Sequence, residues 1–136
     1  MPGRSFADVA VGEQLPSLTV ALTRTLIVAA AIASRDYQEV HHDADLARER
    51  GSRDIIMNIL TTNGFVGRFV TDWAGPDAII GSVKVRLGAP NYPGDTMILT
   101  GSVTELRPDT RSVVVAVRGA NSLGDHVNAT VELVLA

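Results

Sequence analysis

From Ile79 onward the chain reads as four strands whose separators are too short for neighbouring strands to run parallel. Ile79 to Leu87, Thr96 to Leu106, Arg111 to Arg118 and His126 to Leu135 alternate apolar with polar residues or run β-branched. Between them lie Gly88 to Asp95, Arg107 to Thr110 and Asn121 to Asp125, all rich in turn-forming Gly, Pro, Asn or Asp. A parallel crossover needs about a dozen residues or more, so these segments pair antiparallel. Such a sheet has an apolar face that something must cover.

The cover is the segment from Asn58 to Trp73. Ile59, Leu60, Val66, Phe69, Val70 and Trp73 sit among small or polar residues, and only Arg68 and Asp72 bring charge. That pattern predicts a mostly buried helix. Gly64 and Gly67 each cost such a helix about 1 kcal/mol, which makes sense if another backbone approaches one side of it. Trp73-Ala74-Gly75-Pro76 ends it.

Upstream, an arm punctuated by Pro2, Gly3, Gly12 and Pro16 leads to a strand over Leu18 to Leu22. Thr23 is placed to cap an Ala-rich helix running from Thr25 to about Arg35. A short helix starts at Asp43 or Asp45 and ends at Gly51. One strand, then helices, then four strands describes an α+β domain over residues 1–136, one antiparallel sheet wrapped around a long central helix. That is the hot-dog architecture.

Composition removes several classes of function. The net charge is −3, Lys84 is the lone lysine, and no basic block marks a nucleic-acid surface. With zero Cys there is no disulfide framework, thiolate nucleophile or Cys-based zinc site. The longest apolar run, Leu26 to Ala33, is far too short to span a membrane, and the first residues lack the features of a signal peptide. A cytoplasmic location is the resulting expectation. No GxSxG elbow, GxGxxG loop or Walker sequence occurs.

Titratable groups crowd together only in Arg35-Asp36-Tyr37-Gln38-Glu39-Val40-His41-His42-Asp43. On an unbroken helix Asp36 and His41 would point about 140° apart. They converge only if the chain leaves its helix at Asp36 and doubles back. A carboxylate and an imidazole meeting at such a bend can hold one water and exchange protons with it. Each residue alone has a plainer reading, Asp36 as a helix-end residue and His41 as a satisfied surface or core histidine. Their juxtaposition after an apolar run favours the functional reading. A metal centre built on His41, His42, Asp43 and Asp36 is disfavoured, since consecutive His point apart and no HExxH or Cys set supports them. His42 is assigned to orienting the backbone, Asp43 to capping the short helix, and His126 to an edge or turn. The free N–H groups at the start of the Asn58 helix offer an oxyanion site if the Asp36/His41 bend lies opposite.

Asp36-Tyr37-Gln38-Glu39-Val40-His41, the charged helix to Gly51 and the apolar helix ending Thr71-Asp72-Trp73-Ala74-Gly75-Pro76 resemble the MaoC-like (R)-specific enoyl-CoA hydratases, over nearly the whole chain. Those are hot-dog enzymes with the pattern Asp-x-Asn-Pro-x-His. Gln38-Glu39 replaces the family's Asn-Pro, and Met57-Asn58 replaces the usual His-Gly at the start of the long helix. These variants, with Leu123-Gly124-Asp125-His126-Val127, are similar to the small MaoC-like subunits of actinobacterial steroid side-chain enoyl-CoA hydratases.

The resemblance implies hydration of a 2-enoyl-CoA, with Asp36 as base, His41 holding the water and the Asn58 backbone N–H facing the thioester oxygen. It implies a larger partner with a second MaoC-like hot-dog and an acyl-CoA-binding OB-fold domain. No cofactor is required, CoA being part of the substrate. Two alternatives stay open: an acyl-CoA thioesterase, for which Asp72 is the only acid on the long helix, and a non-catalytic subunit completing a partner's site.

Overall fold

The computed structural model describes residues 3–136, so the expected turn residue Pro2 lies outside it. The elements are β1 (Leu18–Ala21), α1 (Arg24–Ala33), α2 (Ala44–Glu49), α3 (Ile59–Ala74), β2 (Ile79–Leu87), β3 (Thr96–Arg107), β4 (Ser112–Asn121) and β5 (Gly124–Val134). Single 3-10 turns lie at Phe6–Asp8 and Glu39–His41. All strands pair antiparallel in the order β1-β3-β4-β5-β2. The expected strands and helices are present, with ends shifted by a few residues.

The helices start where local chemistry caps them. The side chains of Thr23, Asp43 and Asn58 accept from the backbone N–H groups of Leu26, Leu46 and Thr61, at 3.0, 3.1 and 3.0 Å. The end of α1 matters more. Arg35 adopts a left-handed φ of 57°. Its N–H bonds the Ile32 carbonyl, and the Asp36 N–H reaches back to Ala31 at 2.9 Å. This is a Schellman ending with arginine where glycine is usual, and it turns the chain sharply at Asp36.

The inner face of the sheet is a continuous apolar layer. Val103, Val115, Val131 and Val83 stand opposite one another in a rung across four strands. Against it α3 presents the buried stripe Thr62, Val66, Phe69, Val70 and Ala74. Bulges between Ile80 and Ser82, Val103 and Glu105, and Gly119 and Ala120 bend the sheet around the helix. Gly101 lets α3 approach the sheet closely: a Cβ there would stand 2.8 Å from the Ala116 carbonyl oxygen and 2.9 Å from the Phe69 ring.

Two expectations about α3 need correction. Ile59 and Leu60, in its first turn, are exposed, so its N-terminal end is less buried than its apolar content suggested. Gly64 and Gly67 have nothing within 4 Å of a Cβ, so among the described residues no backbone presses on them. Gly64 instead lines an apolar groove of about 380 Å³ between α1 and α3, walled by Leu26, Ala30, Ala33, Leu60 and Phe65.

Candidate active site

The turn at Arg35 brings Asp36 and His41 together, with His41 Nε2 3.3 Å from Asp36 Oδ2. The imidazole is buried and its orientation is fixed from behind. Nδ1 lies 2.7 Å from the Ile56 carbonyl oxygen, and the Ile56 N–H bonds back to Val40. A carbonyl oxygen only accepts, so Nδ1 carries a ring proton, and in its neutral form His41 turns a lone pair at Nε2 toward the carboxylate. Two acceptors side by side call for one donor with two protons. A water in that position would give one proton to Nε2 and one to Asp36 while its own lone pair faced outward.

Asn58 completes the group. It is 2% exposed, and its side chain uses every hydrogen-bonding position it has. Nδ2 donates to Asp36 Oδ2 at 3.1 Å and to Ser34 Oγ at 3.0 Å. Oδ1 accepts from the Thr61 N–H at 3.0 Å and from the Thr61 hydroxyl at 2.5 Å. The Asn58 amide donation, above all, holds the Asp36 carboxyl below the usual carboxylate range; partial desolvation opposes it, and the Gln38 N–H and the positive charge of a protonated His41 add to it. Among the described residues the Asn58 backbone N–H has no acceptor. A buried, unpaired N–H at a helix N-terminus beside a carboxylate and an imidazole is a donor ready for a substrate oxygen.

The remaining candidates fall elsewhere. His42 Nε2 meets the Tyr37 carbonyl oxygen at 3.0 Å, and Asp43 caps α2, the structural duties read for them. Among the described residues no group of three or more His, Asp or Glu side chains is gathered as metal ligands. Asp72 pairs with Arg68 and lies 14 residues beyond Asn58, about 21 Å along the helix. A thioesterase arrangement with an acid near the start of the long helix is therefore absent among the described residues.

His126 is not the edge or turn residue expected. It is buried on β5, between β4 and β2. Its Nδ1 lies 2.7 Å from the Ala89 carbonyl oxygen and its Nε2 2.8 Å from Thr62 Oγ1. Burial pushes its pKa below that of an ordinary histidine, against the opposing bond to Ala89. It ties the first turn of α3 to the sheet. The fully satisfied Asn58 amide was also missed, because only its backbone was read as functional. The one available signal was an N-cap residue at 58 with a threonine three positions on.

Fold and site together define a MaoC-like protein: residues 7–123 match the MaoC-like domain, and the chain belongs to that family. It is 52% identical over 123 residues to the 3-oxo-4,17-pregnadiene-20-carboxyl-CoA hydratase beta subunit of Mycobacterium tuberculosis, covering 90% of this chain and 94% of that one. The crystal structure of the ChsH1-ChsH2 complex from Mycobacterium tuberculosis matches with a TM-score of 0.91 at 50% identity, over 93% of this chain and 98% of the matched one. Unliganded R-hydratase PhaJ1 from Pseudomonas aeruginosa shares the fold, with a TM-score of 0.86 at 24% identity over 98% of this chain and 86% of that one.

Proposed function

We propose that this chain is the hydratase subunit of a two-subunit enzyme that adds water across the 2,3-double bond of a steroid side-chain enoyl-CoA. The observation that carries this reading is the convergence of Asp36 Oδ2 and His41 Nε2, 3.3 Å apart, beside the unpaired Asn58 N–H. The steroid thioester is the compound class in the name of the 52% identical relative, and the second subunit follows from the ChsH1-ChsH2 match.

Asp36 takes a proton from the water as its oxygen attacks C3 of the enoyl thioester. The C2–C3 π electrons move toward the thioester carbonyl, whose oxygen gains charge and accepts from the Asn58 N–H. A donor so placed contributes about 3 kcal/mol in sites of this kind. A proton delivered to C2 from the dyad then restores the thioester. The product gains OH at C3 and H at C2, so atoms balance and no electrons leave the substrate. No cofactor enters the scheme. The apolar groove between α1 and α3 carries Ser34 and Thr61, both bonded to Asn58, and suits an apolar acyl group.

A hot-dog sheet has open edges, here β1 and β2, and β2 carries exposed Ile79 and Leu87. Pairing with the partner subunit removes that hazard. A cytoplasmic site of action belongs to the same reading.

The test is co-expression with a candidate large subunit, mass measurement of the assembly, and parallel assays of hydration and CoA release. Hydration by the complex without CoA release is expected. CoA release without hydration makes the chain a thioesterase. Hydration that survives Asp36→Asn and His41→Ala makes it a non-catalytic subunit.

A further inference from the structure

We infer that the Asn58 carboxamide is a positioning residue for Asp36, holding one carboxylate oxygen in place through Nδ2 while Ser34 anchors the second Nδ2 proton. This deepens the hydratase reading and rests on it for its catalytic meaning. The geometry leaves no freedom in how the amide is oriented. The Thr61 N–H can only donate, so the atom it meets at 3.0 Å is Oδ1, and the nitrogen must face Ser34 and Asp36. Ser34 is suited to receive it, because its own hydroxyl proton is directed at the α1 carbonyls of Ala30 and Ala31, at 2.8 and 3.0 Å.

One buried side chain therefore joins the end of α1, the dyad turn and the first turn of α3. Asp36 Oδ1 is held separately by the Gln38 N–H at 3.3 Å, so each oxygen has its own donor and the carboxylate cannot rotate freely. A donor aimed at the ionised form favours that form, in the same direction as the lowered Asp36 pKa. His41 is the titratable side chain in contact with Asp36. Of the other charged groups on the turn, Glu39 pairs with Arg50 and His42 bonds the Tyr37 carbonyl.

Capping and positioning can be separated, because Ser, Asp and Asn are comparable N-caps while only Asn carries an amide NH2 that reaches Asp36 and Ser34 while its oxygen caps the helix. The experiment uses the assembled complex with Asn58→Ser and Asn58→Asp. The titration midpoint of the Asp36 carboxyl is followed by its carbon NMR signal, assigned by loss in Asp36→Asn, and kcat/KM is measured alongside. In Asn58→Ser the midpoint is expected to rise, and kcat/KM to fall about tenfold with little change in KM. In Asn58→Asp two carboxyls face each other, so the pair shares a proton and the upper midpoint rises further. A midpoint unchanged in both variants overturns the inference and leaves Asn58 as a cap. A raised midpoint in a complex with no hydratase activity upholds the hold on Asp36 and defeats the proposed reaction instead.

Discussion

Replacing the dyad one residue at a time, and then together, tests how the two groups work. In Asp36→Asn the new side chain has one oxygen for two donors, the Asn58 amide nitrogen and the Gln38 N–H. Its own nitrogen must then face a donor, or the side chain must swing away. The melting temperature should fall by only a few degrees, because Asp36 lies at a partly exposed bend outside the core. Activity should fall far more. A positioned general base contributes roughly 10²–10⁴-fold, and the asparagine cannot take the proton. His41→Ala removes the second acceptor for the same water, and a loss on the order of 10²-fold or more is expected. If one water is shared, the double variant should be little worse than the poorer single one, since either change already dislodges it. The assay is loss of the conjugated enoyl-thioester absorbance by the complex, with folding checked by melting and assembly by mass. Multiplying losses in the double variant would refute the shared water, and an unimpaired Asp36→Asn would remove the site altogether.

Three further outcomes follow from the packing. Arg35→Gly relieves a left-handed φ of 57° and should leave the protein equally stable or up to about 1 kcal/mol more stable in denaturant, with activity retained. Gly101→Ala forces a Cβ to 2.8 Å from the Ala116 oxygen and 2.9 Å from Phe69, and should cost about 1–3 kcal/mol by the same measurement. His126→Phe leaves the Ala89 carbonyl unpaired, at about 1–3 kcal/mol, and leaves the Thr62 hydroxyl only its 3.5 Å contact with the Asn58 carbonyl. The His126 change also predicts a pH effect. The folded-state pKa of His126 lies below its ordinary 6.5, so the unfolded chain binds more protons just below 6.5. Its stabilising contribution is complete above 6.5 and declines as the pH falls through the window from there to the folded-state value. His126→Phe should abolish that part of the slope, and a wild-type slope that survives the substitution would refute the assignment.

The fold was legible because its signals are local. Short Gly, Pro and Asn separators dictated antiparallel pairing, and the Asn58 to Trp73 run had one apolar stripe to bury. Asp36 and His41 were legible as a pair only through the demand for a turn between them, which Arg35 supplies from an unexpected residue type. His126 was misread because its burial is non-local. Its neighbours Asp125 and Asn128 look like turn chemistry, and only the folding of Ala89 over it and of Thr62 against it makes it a core residue. Gly64 and Gly67 were misread for the opposite reason. Their helix cost is real, but among the described residues no backbone comes near either, and Gly64 lines an open groove.

The misread residues and the correctly read ones meet at one place, the start of α3. The Met57 N–H bonds the Asn91 carbonyl at 3.1 Å, Asn58 holds Asp36 and Ser34, and Thr62 holds His126, which in turn holds Ala89. The helix end is thus tied both to the loop between β2 and β3 and to the dyad turn. His41 is oriented from the same segment, through the Ile56 carbonyl two residues before Asn58. The proposed base, the proposed water-holding imidazole and the N–H donor are therefore all bonded to, or part of, this one segment. Catalytic geometry tolerates displacements of only about 0.5 Å, so tying three groups to one anchored segment is a physical reason for the proposed site to sit here. Asparagine stands here where the family's usual residue is glycine; its backbone N–H is still a donor, and its carboxamide adds the bonds to Asp36 and Ser34.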